Sequence, residues 1–162
     1  MKKQITPPVA KALAKKYLSK VKSKEDSEFL LVHSEAVGEI AAILCEDPKI
    51  DKDLLRIAGW LHDIGYSVSD EGHALHSLEL IEEDYEVSPE LKDCILNHGS
   101  NGKPETKEGK IIHAADKASV LNPEMLSVFV KYSDNKLSKA WLDFAENKLA
   151  KNAFKFLREL EL

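Results

Sequence analysis

The sequence predicts an all-α fold, a single compact domain of six to eight helices. Glycine and proline are scarce, seven and six among 162 residues, so long stretches run free of the residues that break helices. Within those stretches apolar residues recur at helical spacing, and none alternates with the two-residue period of a strand. Neither an internal repeat nor a shift in composition divides the chain.

Taken in order, Pro7-Pro8 opens a first helix, because proline's missing N–H costs nothing in the first turn. Val9, Leu13 and Tyr17 follow at i, i+4 and i+8 as its predicted apolar face, and Lys20 to Lys24 form a basic connection. From about Glu25 to Cys45 a broad stripe of Phe29, Val32, Ala36, Val37, Ile40, Ile43 and Leu44 predicts a long amphipathic helix. Asp47-Pro48 closes it, since the residue before proline is biased out of the α region. The next helix runs from about Lys52 to Asp63 through Leu54, Leu55, Ile57, Ala58 and Leu61, with Gly65 placed to stop it. Ser67 to Gly72 is polar loop, His73 to Asp84 is helical, and Ser88-Pro89-Glu90 is a helix start. Leu91, Ile95 and His98 then share one face, before the loop Gly99 to Pro104. Ile111 to Val120 has mixed composition, and Ala114, Ala115 and Ala118 decide it as helix. A last helix, about Leu137 to Leu160, aligns Leu137, Trp141, Phe144, Ala145, Leu149, Phe156 and Leu160.

Composition narrows the function classes. The chain is 43% apolar and 31% charged, with a net charge of −5 and a pI near 5.7. That balance argues against broad electrostatic adhesion to nucleic acid or anionic membrane, so neither is an expected partner. No apolar run approaches the ~20 residues of a spanning helix, and the N-terminus lacks the apolar stretch of a signal peptide. Two cysteines, Cys45 and Cys94, argue against a disulfide framework. The expectation is a soluble, cytoplasmic protein.

Several of the six histidines sit in apolar company. His33 is in step with Val37, Ile40 and Leu44, and His62-Asp63 ends the apolar run Ala58-Gly59-Trp60-Leu61. Asp116 lies between Ile112 and Val120, one turn away on either side. A carboxylate so placed must be paired, hydrogen-bonded or metal-bound, because an unpaired buried charge is very costly. Each residue alone has a bland explanation, a hydrogen-bonded core histidine or an ion-paired helix terminus. Together they bring imidazole and carboxylate from three helices toward one core, a donor set suited to Fe, Mn, Co, Ni or Zn.

His33, His62-Asp63 and Asp116, with the flanks Trp60-Leu61-His62-Asp63-Ile64-Gly65 and Ala114-Ala115-Asp116-Lys117, resemble the H…HD…D signature of the HD superfamily of metal-dependent phosphohydrolases. The resemblance spans about Val32 to Val120. It implies an HD core at about 25–132, with the C-terminal helix of about 135–161 packed on it. It also implies that His33, His62, Asp63 and Asp116 ligate a first metal. Many HD proteins carry histidines between the HD pair and the last aspartate that bind a second metal, bridged to the first by the HD aspartate. His73 and His98 occupy those regions here. A small residue four positions after the first of these histidines is common in such branches, and Ser77, four after His73, makes the resemblance favour His73 over His76. Cys94 and His98, one turn apart, are a rival zinc pair, but no second cluster of that spacing completes four ligands. His113 reads as a core or supporting histidine. In the family a basic residue near this aspartate can contact substrate phosphate, which makes Asp63 and Lys117 the expected catalytic residues. The competing reading is a lysine snorkelling to solvent; if Lys117 contacts substrate, Lys117→Ala should leave metal content and melting temperature almost unchanged.

The implied cofactor is a divalent transition metal, two per chain, with Mg a further candidate. Two such cations supply a nucleophile from water near neutrality and offset charge on a phosphoryl oxygen. The implied reaction is hydrolysis of a phosphomonoester, phosphodiester or phosphoanhydride, with a nucleotide as the small-molecule substrate. Asp63 is followed by Ile64-Gly65-Tyr66-Ser67, with no acidic residue until Asp70, unlike HD nucleotidases and guanosine-tetraphosphate hydrolases. The alternatives are a mononuclear HD nucleotidase and a non-catalytic HD module that binds a nucleotide or protein partner.

Overall fold

A computed structural model describes residues 2–132 together with 134–136, 139, 140 and 143. Among these the chain forms seven helices: α1 (Pro7–Leu18), α2 (Lys24–Leu44), α3 (Lys52–Leu61), α4 (His73–Glu82), α5 (Pro89–Leu96), α6 (Lys107–Ala118) and α7 (Pro123–Lys131). Short 3₁₀ turns follow α3 at Ile64–Ser67 and α6 at Ser119–Leu121. The described residues contain no strand, only an isolated bridge between Lys3 and Tyr85. The predicted all-α class is the observed one. The predicted C-terminal helix lies outside the described residues except for 139, 140 and 143. No helix among them is long and apolar enough to cross a membrane.

Capping residues explain most helix starts. Ser23, Asp51, Ser88, Thr106 and Asn122 each accept a backbone N–H from the first turn of the helix that follows. Proline occupies the first turn of α1, α5 and α7. The sequence reading assigns no element to 123–131. The Asn122-Pro123 pair is the start signal there, and Met125, Val128 and Phe129 are the buried residues.

Three expectations need correction. The fully buried face of α1 is Ala10, Ala14 and Leu18, while Val9, Leu13 and Tyr17 are only partly covered. Small side chains face inward because α1 packs against α3. Ile43, predicted within the α2 stripe, is 76% exposed, and Ala41 and Ala42 are buried in its place. Gly65 does not stop α3, which has already ended at Leu61. Instead the chain passes so close to α4 that a Cβ on Gly65 would stand 1.9 Å from His73 O.

Helix α2 crosses α3 at an equally close approach. A Cβ on Gly59 would lie 2.3 Å from Gly38 N, so glycine is required at 59, while a Cβ on Gly38 would be tight at 3.1 Å from Arg56 Cα. This contact sets His33 on α2 beside His62 at the end of α3. Around it Phe29, Leu55, Leu61, Ile64, Ile81, Ile95, Ile112 and Met125 are fully buried.

Candidate metal centre

Five segments converge inside the bundle: the middle of α2 (His33), the end of α3 (His62, Asp63), the start of α4 (His73), the end of α5 (His98) and the last turn of α6 (Asp116). His33, His62, Asp63, His98 and Asp116 are all at most 5% exposed. The His73 side chain is more open, at 23%.

Hydrogen bonds on the outer side of each ring decide its tautomer. His62 Nδ1 lies 2.8 Å from Gly59 O, His98 Nδ1 2.7 Å from Ile95 O and His73 Nδ1 3.0 Å from Asp70 O. A carbonyl only accepts, so each Nδ1 carries the proton. His33 Nδ1 lies 3.0 Å from Ser119 Oγ, whose own proton goes to Asp116 O at 2.8 Å. His33 therefore also donates from Nδ1. In its neutral form each of the four rings presents an Nε2 lone pair inward.

Those lone pairs meet carboxylate oxygens and one another. His33 Nε2 is 3.1 Å from Asp116 Oδ1 and 3.5 Å from Asp63 Oδ2, and His62 Nε2 is 3.2 Å from Asp63 Oδ2. On the other side, Asp63 Oδ1 stands 3.3 Å from His98 Nε2 and 3.4 Å from His73 Nε2. The Nε2 atoms of His33 and His62 are 3.3 Å apart, and those of His73 and His98 3.2 Å. Asp63 Oδ1 is buried yet accepts no hydrogen bond of good geometry. Acceptors packed against acceptors need positive charge between them. Ligand atoms of His33, His62 and Asp116, and again of His62, Asp63 and His98, lie within 4.8 Å of one another. This donor set suits a divalent transition cation.

Protons on the inward nitrogens can supply that charge in place of a cation. Burial pushes the Asp63 carboxyl up, but the charge and hydrogen bond of His62 outweigh it and hold Asp63 well below the usual carboxylate range. Burial also opposes ionisation of Asp116, where Lys117 and His33 prevail and lower it. Desolvation works against the His62 imidazolium, yet Asp63 raises it on balance. At His73 desolvation wins and the ring is pushed down.

Of the two histidines on α4, His73 faces the cluster, whereas His76 pairs with Glu79 at 3.1 Å. Cys94 is fully buried in the apolar core. Lys117 is only 4% exposed, so it does not snorkel to solvent. Its ammonium donates to His98 O at 2.9 Å and to the Asp116 carboxylate. Lys107, at the start of α6, pairs with Asp47 at 2.8 Å.

Sequence reasoning missed three contributors. Ser119 orients His33, and its only sequence signal is a hydroxyl one turn after Asp116. Ser77, noted for its size, works through its hydroxyl: it donates to His62 O and accepts from Gly65 N, both at 2.8 Å. Tyr66 stacks on His73 with centroids 4.2 Å apart and planes 14° from parallel. Burial, reinforced by Asp63 and Asp116, pushes its phenol up, so it remains a proton donor.

The family model for the HD domain matches residues 30–121, more than half of the chain. The chain belongs to the HD domain family. This HD domain is 35% identical over 109 residues to Ribonuclease Y of Desulforudis audaxviator, covering 63% of the chain and 21% of the relative. It is 32% identical over 109 residues to Ribonuclease Y of Clostridium perfringens, with the same coverage of 63% and 21%. A deoxyguanosinetriphosphate triphosphohydrolase-like protein of Caldanaerobacter subterraneus is 28% identical over 115 residues, covering 59% of the chain and 34% of the relative. The alignments thus take in about a fifth to a third of these relatives' lengths. No solved structure matches the chain.

Proposed function

We propose that this HD domain is a metal-dependent phosphohydrolase with two cations per chain, acting on a phosphoester or phosphoanhydride of a nucleotide. The observation that supports it best is the inward convergence of four Nε2 lone pairs on Asp63 and Asp116. His33, His62, Asp63 and Asp116 would hold one cation, and Asp63, His73 and His98 the other. When bound, such cations lower the pKa of a water and offset charge on a phosphoryl oxygen.

The chain's own groups prepare that site. The Nδ1 hydrogen bonds hold each ring in the tautomer and orientation a ligand requires. Asp63 offers Oδ2 to the His33 and His62 side and Oδ1 to the His73 and His98 side, as a bridging carboxylate must. The most open of the four candidate histidine ligands is His73, so substrate approaches on its side, past Tyr66.

A second reading takes RNA as the phosphodiester substrate. The relatives that are ribonucleases by name favour it, and an acidic net charge does not exclude a local contact with a strand.

Metal analysis of protein purified without chelator should find about two cations per chain. One would support a mononuclear site, with His73 and His98 facing substrate. Nucleotides, dinucleotides and short RNA assayed with Mn, Fe, Co, Ni and Mg would then separate the substrate classes. Asp63→Ala should abolish both metal binding and hydrolysis, and full retention of either would overturn the assignment.

A further inference from the structure

We propose that His113 is a positioning residue for His98. It works with Lys117, one turn further along α6, to fix the turn that carries the His98 imidazole. The end of α5 shows why such help is needed. A helix leaves its last carbonyls without intrahelical donors, and buried ones must find partners elsewhere. Here Ile95 O is taken by His98 Nδ1 itself, at 2.7 Å. Two of the carbonyls that follow, those of Asn97 and His98, are taken by α6. His113 Nδ1 donates to Asn97 O at 3.0 Å, and Lys117 Nζ donates to His98 O at 2.9 Å.

Residues 113 and 117 are four apart and share one face of α6. That face grips two consecutive peptide carbonyls, directly around the Cα from which His98 projects. The same turn is closed from its other side by a near approach of the chain. A Cβ on Gly102 would stand 2.1 Å from Asn97 O, so little besides the donor from His113 fits there. Lys117 also engages the Asp116 carboxylate, so its grip links the backbone of one candidate ligand to the side chain of another. Removing the donor from His113 leaves Asn97 O unpaired and frees the turn to rotate, and the His98 ring moves with it.

The consequence for metal binding rests on the dinuclear reading above, whereas the placement of the His98 ring does not, and the experiment reads the two separately. His113→Asn keeps an N–H at the same distance from Cβ as Nδ1. His113→Leu and His113→Phe remove it, and the second of these retains a planar ring should leucine fail to fold. Nitrogen-detected NMR of the histidine rings at pH 8 on chelator-treated protein reports ring placement, with His98→Gln identifying the His98 signal. Titration with Co²⁺ reports cation affinity.

The Leu and Phe variants should shift the His98 ring signal while leaving those of His33 and His62 in place. Their affinity for the cation that depends on His98 should fall by ~10- to 100-fold. His113→Asn should restore both signal and affinity. An unmoved His98 signal in the donor-less variants, or equal behaviour of the Asn and Leu variants, would overturn the proposal. A shifted and rescued signal in a chain that binds only one cation would uphold the positioning role and overturn the dinuclear reading instead.

Discussion

A lysine ammonium at 4% exposure is tolerated only through what it touches. Lys117 holds His98 O and the Asp116 carboxylate, and without it Asp116 would keep its charge among buried groups with one cation fewer. Removing one partner of a buried pair costs about 3–5 kcal/mol. Lys117→Ala should therefore lower the free energy of unfolding by that amount in urea, in contrast to the neutral effect expected of a surface lysine. An alanine variant within ~1 kcal/mol of the parent would put the ammonium back in solvent. The burial of His33, Asp63 and Asp116 was legible because apolar neighbours at helical spacing surround each of them. The partners that orient them were not. Ser119 reaches His33 across 86 positions of sequence, a pairing that exists only once α2 and α6 have packed.

At the scale of elements, Asp93 on α5 does the work of a brace. Its Oδ2 accepts from Glu105 N, Thr106 N and Thr106 Oγ1 at 3.0, 2.8 and 2.6 Å, and its Oδ1 accepts from Asn97 Nδ2 at 2.8 Å. It thereby anchors the start of α6 and closes the Gly99–Pro104 loop. Burial pushes the Asp93 carboxyl up, but the Thr106 hydrogen bonds, with those of Asn97 and Glu105, lower it on balance. A folded pKa below the unfolded value of ~3.9 gives stabilisation that is present above that pH and lost as pH falls through the folded value. Asp93→Asn should cost about 1–3 kcal/mol at pH 7, and its gap from the parent should narrow when both are unfolded at pH 3. A gap independent of pH would mean that the charge contributes nothing. The existence of six of the helices was legible from spacing and caps. Which face of α1 turns inward was not, since Ala10 and Ala14 carry little hydrophobic signal and are chosen by the closeness of α3. Helix α7 was not read, although Asn122-Pro123 opens it as Ser88-Pro89 opens the shorter α5.

For the whole molecule, the candidate ligands come from five segments, so a cation bound by all of them binds the folded chain alone. At a hundredfold excess over its dissociation constant such a ligand adds ~2.7 kcal/mol per site. For a domain of this size that should raise Tm by roughly 5–20 °C. Mn²⁺ or Co²⁺ added to chelator-treated protein should produce the shift, and EDTA should reverse it. A Tm indifferent to both would sink the metal centre. Membership of the HD family was legible at this scale from four residues and their flanks. The substrate was not, because the open side of the site is built from Tyr66, His73 and the loops beside them, and a loop's path depends on the packing beneath it.

The distribution of ligands among the helices also divides the molecule by how its amides exchange with solvent. Helices α2 to α6 each carry a candidate ligand or lead directly into one, and none of them can open without taking a candidate ligand away. Helix α1 packs on α3 and α7 on α2, but neither carries one, so both can lift off while the centre stays whole. Deuterium uptake with and without Mn²⁺ should then slow most from His33 to Asp116 and least in Pro7–Leu18 and Pro123–Lys131. Equal slowing everywhere would mean that the two outer helices come away only when the entire domain unfolds.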